Sequence, residues 1–299
     1  MERTTAQLTS LLDNEILARV ERMRIEASGR FTSRARGEHL SSKGGQSTEF
    51  ADYRDYTEGD DIRFVDWNIF SRLHRPYLKL FHHEEEMHVV LLIDGSSSMM
   101  FEGKLHRAKQ LAAAFGVMGL FNTERVSAYT FCDAEGPLSK LPPCTGRGSM
   151  RKLFHFLEGI EGGGPLPLED GVQAMLRDHS GRGVVLIVSD FLTYRDPAGA
   201  LTRLVSAGLE IFGIQVLGPT EIDPEVAGDT RFVDSEGAGT LDVSAAGDVV
   251  GIYQEYRHRH ERQLENLCRH RGGRFLSISS ESPISYVLFD LLARKGWIR

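Results

Sequence analysis

The sequence predicts an α/β protein with a doubly wound, mostly parallel sheet, an N-terminal helix and a short β-rich appendage. Three observations predict it. From Met87 onward, apolar runs of strand length alternate with segments of helix length, the pattern of a parallel sheet covered on both faces. Two of these runs, at 183–188 and 209–217, are almost continuously apolar, as expected of strands buried on both sides. The polar run Asp94-Gly95-Ser96-Ser97-Ser98 directly follows the first strand, and ligands of open α/β sheets collect outside the carboxyl ends of strands.

The chain has 299 residues, enough for one large domain plus an appendage. We read residues 1–86 as the N-terminal helix with an aromatic and acidic segment, and residues 87–299 as the α/β domain. In residues 6–26, Leu8, Leu11, Leu12, Ile16, Val20 and Met23 keep near a helical period, which predicts an amphipathic helix docked on the main body. Residues 29–48 are rich in Gly, Ser and Arg and read as an irregular connection. In 49–86 short aromatic runs alternate with charges, and Tyr77-Leu78-Lys79-Leu80-Phe81 reads as an edge strand leading into the central sheet. The sheet's own strands are expected at 88–93, 126–131, 183–188, 209–217 and 274–278. Helices are expected at 104–122, 150–158, 168–179, 197–207, 249–270 and 282–294. Right-handed crossovers then make the doubly wound layer the economical topology. Residues 228–244 interrupt the rhythm and read as a hairpin excursion.

Composition narrows the function. With 41% hydrophobic and 26% charged residues the chain is of ordinary globular type, and a net charge of −7 gives no broad attraction to nucleic acid or anionic membranes. No stretch approaches the roughly 20 apolar residues of a membrane span, and the opening is too polar for a signal peptide, so cytoplasmic residence is the expectation. Cys132, Cys144 and Cys268 lack metal-finger spacing and read as reduced thiols. Cys144 sits in a Leu-Pro-Pro-Cys-Thr-Gly turn without an adjacent base.

The chemistry concentrates after the first buried strand. A small hard cation such as Mg²⁺ takes oxygen ligands in a near-octahedral array, and Asp94, Ser96 and Ser98 supply one carboxylate and two hydroxyls; Mn²⁺ or Ca²⁺ are alternatives. Such a set is short of ligands and under-neutralised, so an incoming acidic group would complete it. Asp190, after Ser189 at the end of another apolar run, occupies the equivalent strand-end position. The competing reading is a polar turn that caps the next helix; Asp190 and the strand-end location favour the metal.

Asp94-x-Ser96-x-Ser98 with Asp190 resembles the metal-ion-dependent adhesion site of von Willebrand factor type A domains. The resemblance implies that both hydroxyls contact the ion, that the aspartates act directly or through water, and that a loop threonine completes the set. The corresponding loop reads Glu161-Gly162-Gly163-Gly164-Pro165-Leu166, which puts Gly164 at the threonine position, with Thr145 as a substitute. Gly44-Gly45, Glu49-Phe50, Asp52-Tyr53-Arg54-Asp55-Tyr56, Gly59-Asp60-Asp61-Ile62-Arg63 and Asp66-Trp67, with the Asp-Gly-Ser-Ser-Ser-Met run, are similar to the bacterial family known as domain of unknown function 58. Members are commonly encoded beside MoxR-type AAA+ ATPases, so the resemblance implies such a partner and a chaperone-like or assembly role.

Other clusters receive structural readings. Residues 53–67 fasten the N-terminal region through buried rings and Asp–Arg pairs, with Arg54 and Arg63 as alternative contacts for an acidic loop. His82-His83-Glu84-Glu85-Glu86-Met87-His88 carries metal-binding types, but a strand sends alternate residues to opposite faces, so it reads as a solvated strand entrance. Arg257-His258-Arg259-His260-Glu261-Arg262 reads as the wet face of a helix. The function expected is a non-enzymatic, metal-dependent adaptor that binds an acidic segment of the ATPase or of a client. One alternative is a Mg²⁺-dependent phosphatase of haloacid dehalogenase type, which would need an aspartate where Ser96 stands. Another is a structural protein with a degraded ion site, the reading that Gly164 supports. A Gly-x-Ser-x-Gly elbow fails at Met99, and no phosphate-binding loop of the Gly-x-x-x-x-Gly-Lys type occurs.

Overall fold

The computed structural model describes residues 7–28, 32–33, 50–81, 83–84, 87–131, 139–164, 168–192, 195–226, 228–233, 239–243 and 247–299. The chain forms two compact units, one of Met1–Ser28 with Met87–Arg299 and one of Gly29–Glu86. Helix α1 (Asn14–Val20) belongs to the first, packed with the main body. It is shorter than its periodicity predicts, because the flanking chain makes other pairings. Thr9 Oγ1 and the Ser10 amide donate to Glu158 at 2.7 and 2.8 Å, and the Arg24 and Glu26 amides pair with the C-terminal carbonyls of Arg299 and Trp297. Leu11 and Leu12 are buried all the same.

In the smaller unit, β1 (Thr32–Ser33) and β4 (His83–Glu84) form one antiparallel pair, and β2 (Phe50–Asp55) and β3 (Tyr77–Phe81) another. Strand β3 therefore stands with β2 in a two-stranded sheet. Between β2 and β3 lies α2 (Trp67–Leu73), whose first amides, of Asn68 and Ile69, donate to the Asp66 carboxylate, the usual N-cap arrangement. The expected Asp–Arg pairs form locally, Arg54 with Asp60 at 2.8 Å and Arg63 with Asp61 at 2.6 Å. The rings are not buried as expected: Tyr53 and Trp67 are exposed.

The larger unit is the doubly wound α/β layer. In chain order it contains β5 (His88–Asp94), α3 (Lys104–Phe121), β6 (Arg125–Phe131), β7 (Ser139–Cys144), α4 (Met150–Glu158), α5 (Leu168–Asp178), β8 (Gly183–Ser189), α6 (Ala198–Ser206), β9 (Leu209–Leu217) and α7 (Pro219–Ile222). The hairpin β10 (Thr230–Val233) and β11 (Thr240–Val243), α8 (Gly247–Arg269), β12 (Arg274–Ser279) and α9 (Ile284–Tyr286), which runs on as a π-helical turn, complete it. The sheet order is β12-β9-β8-β5-β6-β7, parallel except for β7 against β6. From β5 the chain first builds outward through β6 and β7, then crosses back to build β8, β9 and β12 on the other side. The reversal lies between β5 and β8, the switch point where such sheets open a crevice at their carboxyl ends.

Every residue of β5 and β8 is buried, and alternation sends Val89, Leu91 and Ile93 to one core and Val90 and Leu92 to the other. Strand β7 escaped the sequence reading because Pro142 and Pro143 read as a turn; at the sheet edge their missing amides cost no ladder bond.

Candidate metal centre

Asp94 is the last residue of β5 and Asp190 the first beyond β8, so the strands that flank the switch point bring both carboxylates to one edge. Both are buried. The Ser189 hydroxyl donates to Asp94 Oδ2 at 2.5 Å and the Ser96 amide donates to Oδ1 at 2.8 Å, which fixes the Asp94 carboxylate from two sides. Ser96 Oγ and Ser98 Oγ stand 3.1 Å apart. The four residues singled out from sequence are thus brought together. Burial, followed by the neighbouring Asp190 charge, pushes the Asp94 carboxyl up to about 6.

The glycine loop closes against the same run. The Gly163 amide donates to Gly95 O at 2.7 Å, the Ser97 amide to Gly164 O at 3.3 Å, and the Gly164 amide to Ser97 Oγ at 3.1 Å. Gly164, with φ of 75°, takes a left-handed conformation that glycine adopts without strain, and it presents backbone but no hydroxyl. Thr145 is no substitute. Cys144 pairs with Val126, near the start of β6, whereas Asp94 pairs with Phe131 at its end, so Thr145 follows a strand that finishes at the opposite edge of the sheet.

Sequence reasoning missed Lys104. It is 1% exposed and its ammonium donates to Asp190 Oδ2 at 2.9 Å and to Glu221 Oε1 at 2.5 Å. Burial favours the neutral amine, but Asp190 and Glu221 outweigh it and hold the lysine pKa above its ordinary value. A cation in the first turn of α3 also opposes the helix dipole, so the two carboxylates are what keep it there. Glu221 Oε2 in turn accepts from the Gly218 amide at 2.7 Å. Two non-glycine residues beside the site have left-handed backbone, Glu102 with φ of 49° and Phe191 with φ of 53°, a strained choice for side chains of that size. His260 of α8, expected on a wet face, lies 3.0 Å from Phe191 O; its neighbours His258 and Arg259 are exposed as expected.

The donor set fits a small hard cation. An octahedron with metal–oxygen bonds of about 2.1 Å places adjacent oxygens about 3.0 Å apart, close to the 3.1 Å between the two serine hydroxyls. Among the described residues no group of three or more His, Cys, Asp or Glu side chains is placed to hold a metal, so an ion here would rest on neutral oxygens and one or two carboxylates. That is the chemistry of Mg²⁺ and excludes thiolate- or imidazole-rich metals. In the His82–His88 cluster the side chains of residues 82–86 lie outside the described residues, and His88, expected at a solvated strand entrance, is instead buried because β5 is covered on both faces. Cys144 is half-buried and Cys268 buried; neither is in a disulfide, and burial raises both thiols, Cys268 to about 12, against nucleophilic roles. Cys132 lies outside the described residues.

No helix among the described residues is long and apolar enough to cross a membrane. The chain is 23% identical over 278 residues to the uncharacterized protein Rv1480 of Mycobacterium tuberculosis strain H37Rv, an alignment that covers 90% of this chain and 86% of that one. Among solved structures it is similar to the conserved hypothetical protein BatB of Bacteroides thetaiotaomicron (TM-score 0.44, 14% identity, 70% of this chain and 98% of that chain). It is also similar to an aerotolerance-related membrane protein of Bacteroides fragilis (TM-score 0.41, 17% identity, 64% and 91%). The family described as protein of unknown function DUF58 matches residues 52–265, which takes in the strand-end carboxylates, the serine run and Lys104 together, and the chain belongs to that family.

Proposed function

We propose that the edge between β5 and β8 is a Mg²⁺ site of the kind found in von Willebrand factor type A domains, and that the protein is a non-enzymatic adaptor that binds an acidic segment through it. The observation that carries this reading is the Ser96–Ser98 hydroxyl pair, 3.1 Å apart, beside a buried carboxylate already fixed by Ser189 and by the Ser96 amide. In this reading both hydroxyls touch the ion, Asp94 acts directly or through water, and Asp190, already paired with Lys104, acts from the outer sphere. With Gly164 where a threonine would stand, the ion keeps an open position for a partner's carboxylate. The partner we infer, from the family resemblance, is a MoxR-type AAA+ ATPase or its client.

The phosphatase alternative requires Asp94 as a nucleophile. Both of its oxygens already accept hydrogen bonds and the side chain is buried, which suits a fixed ligand better than an attacking group. The test is affinity capture from the native host in Mg²⁺ and in chelator, with a phosphatase assay in parallel. The reading expects an AAA+ ATPase enriched only in Mg²⁺. Robust phosphate release, lost in Asp94→Asn, would overturn it.

A further inference from the structure

Lys104 stands where neither its helix nor its surroundings favour a charge. It is the first residue of α3, where the helix dipole opposes a cation, and its side chain is almost fully buried. The backbone is bent to put it there. Glu102 and Gly103 are consecutive left-handed residues, with φ of 49° and 70°, and they turn the chain from the short helical turn Ser97–Met100 into α3. The Lys104 amide closes that turn on Phe101 O at 3.1 Å. Of the two carboxylates that the ammonium reaches, Asp190 is the better fixed. Its Oδ1 accepts from the Leu192 amide at 3.1 Å and its carbonyl from Gln215 Nε2 at 2.8 Å, and its side chain is buried whereas that of Glu221 is partly open to solvent. Asp190 is also the carboxylate whose charge is felt at Asp94. One buried ammonium therefore neutralises the second acidic arm of the edge and adds a fixed positive charge beside the first.

We propose that Lys104 is a built-in competitor of the divalent cation: its ammonium engages Asp190 and so holds the Mg²⁺ affinity of the Ser96–Ser98 edge low. This rests on the ion reading above. A divalent cation and an ammonium drawn to the same carboxylate repel each other, and the repulsion is strong where burial keeps the local dielectric low. With Lys104 in place, Asp94 is the one carboxylate of the strand-end pair left to the ion. With the ammonium gone, Asp190 adds its full charge from the outer sphere. A salt bridge that served the fold alone would change stability when broken and leave the ion affinity where it was.

Calorimetric titration of Mg²⁺ into the full chain tests this. Wild type, Lys104→Met, Lys104→Gln and the double variant Lys104→Met, Asp190→Asn are compared at one ionic strength, each checked for folding by circular dichroism. Both single variants should bind Mg²⁺ at least about tenfold more tightly than the wild type, a gain of about 1.4 kcal/mol. Lys104→Gln keeps an N–H donor for Asp190 without the charge, and it decides the question if the unpaired buried carboxylate of Lys104→Met prevents folding. The double variant should return close to the wild-type affinity, because the carboxylate that Lys104 held is neutralised with it. Wild-type binding with no tightening in the single variants, or tightening that survives Asp190→Asn, would overturn the competitor and leave the ion site standing. Binding in the Lys104 variants with none in the wild type would overturn the ion reading of the native edge and uphold Lys104 as the group that closes it. Failure of every protein to bind Mg²⁺ would overturn both.

Discussion

Where the parallel strands begin, His88 Nε2 shares a hydrogen bond with Ser127 Oγ at 3.0 Å, the His88 ring stacks on His179 with centroids 4.7 Å apart, and His179 meets Gly181 O at 2.8 Å. Where the same strands end, Asp94 faces Asp190 and a buried lysine separates Asp190 from Glu221. Backbone strain does not distinguish the two ends, since Thr123, just before β6 begins, has φ of 61°, comparable with Glu102 and Phe191. Charge does. The starting end keeps its buried His88 neutral and leaves its ion pair, Arg274 with Glu210, partly open to solvent, whereas the finishing end buries the Lys104–Asp190 pair beside Asp94. Buried ionic groups contribute little net stability over apolar replacements, and perturbed carboxylates gather at functional sites. The contrast supports the proposal that the finishing end is the binding edge.

The largest effect that would sharpen this contrast is at Lys104. Lys104→Met leaves Asp190 buried without its cation and should cost about 3–5 kcal/mol, read by chemical denaturation, with much of the loss recovered when Asp190→Leu is added. A loss below about 1 kcal/mol would mean that the triad is solvated, and the finishing end no more charged than any surface.

The two ends should also respond to pH with opposite signs. Burial pulls the His88 pKa from 6.5 down to about 4, so the folded state holds His88 neutral. Its contribution, on the order of 3 kcal/mol, is present above pH 6.5 and lost as pH falls toward 4; His88→Phe should flatten that limb of the stability profile. Asp94 is raised from 3.8 to about 6, so the folded state holds its proton longer than the unfolded chain does. In chelator, stability should therefore fall as pH rises from 3.8 to 6, and Asp94→Asn should stabilise the metal-free protein at pH 7 by on the order of 1–2 kcal/mol. Destabilisation by Asp94→Asn in chelator would mean that the carboxylate is a structural acceptor rather than a strained ligand.

The sequence was legible where local pattern and tertiary role coincide. The strands of the central sheet announce themselves because burial on both faces demands unbroken apolar runs, and Asp94, Ser96, Ser98 and Asp190 are visible because strand ends are where such sheets present side chains. Lys104 was not visible. A lysine at a helix start reads as a solvated residue, and its partners lie 86 and 117 positions away. Strand β7 was hidden by two prolines that only an edge position tolerates. Helix α1 was overestimated because apolar spacing survives in chain that pairs irregularly with Glu158 and with the C-terminus. His260 was assigned to solvent because helix periodicity does not reveal that the loop after β8 rises to meet it.

The central claim, that the Ser96 and Ser98 hydroxyls bind a cation rather than hold the fold, is tested most directly by thermal denaturation of the wild type and of the double variant Ser96→Ala, Ser98→Ala, each in EDTA and across a Mg²⁺ titration. Loss of two hydroxyls from the loop beyond β5 removes few apolar contacts but also the Ser96 hydrogen bond to buried Asp94, so in EDTA the variant should lie within about 1–2 kcal/mol of the wild type. A ligand that binds only the folded state raises stability in proportion to RT ln(1 + [L]/Kd), about 2.7 kcal/mol at a hundredfold excess over Kd. The wild-type Tm should therefore climb with Mg²⁺ while the double variant stays flat. An equal climb in both proteins, or no climb in the wild type, would contradict the account.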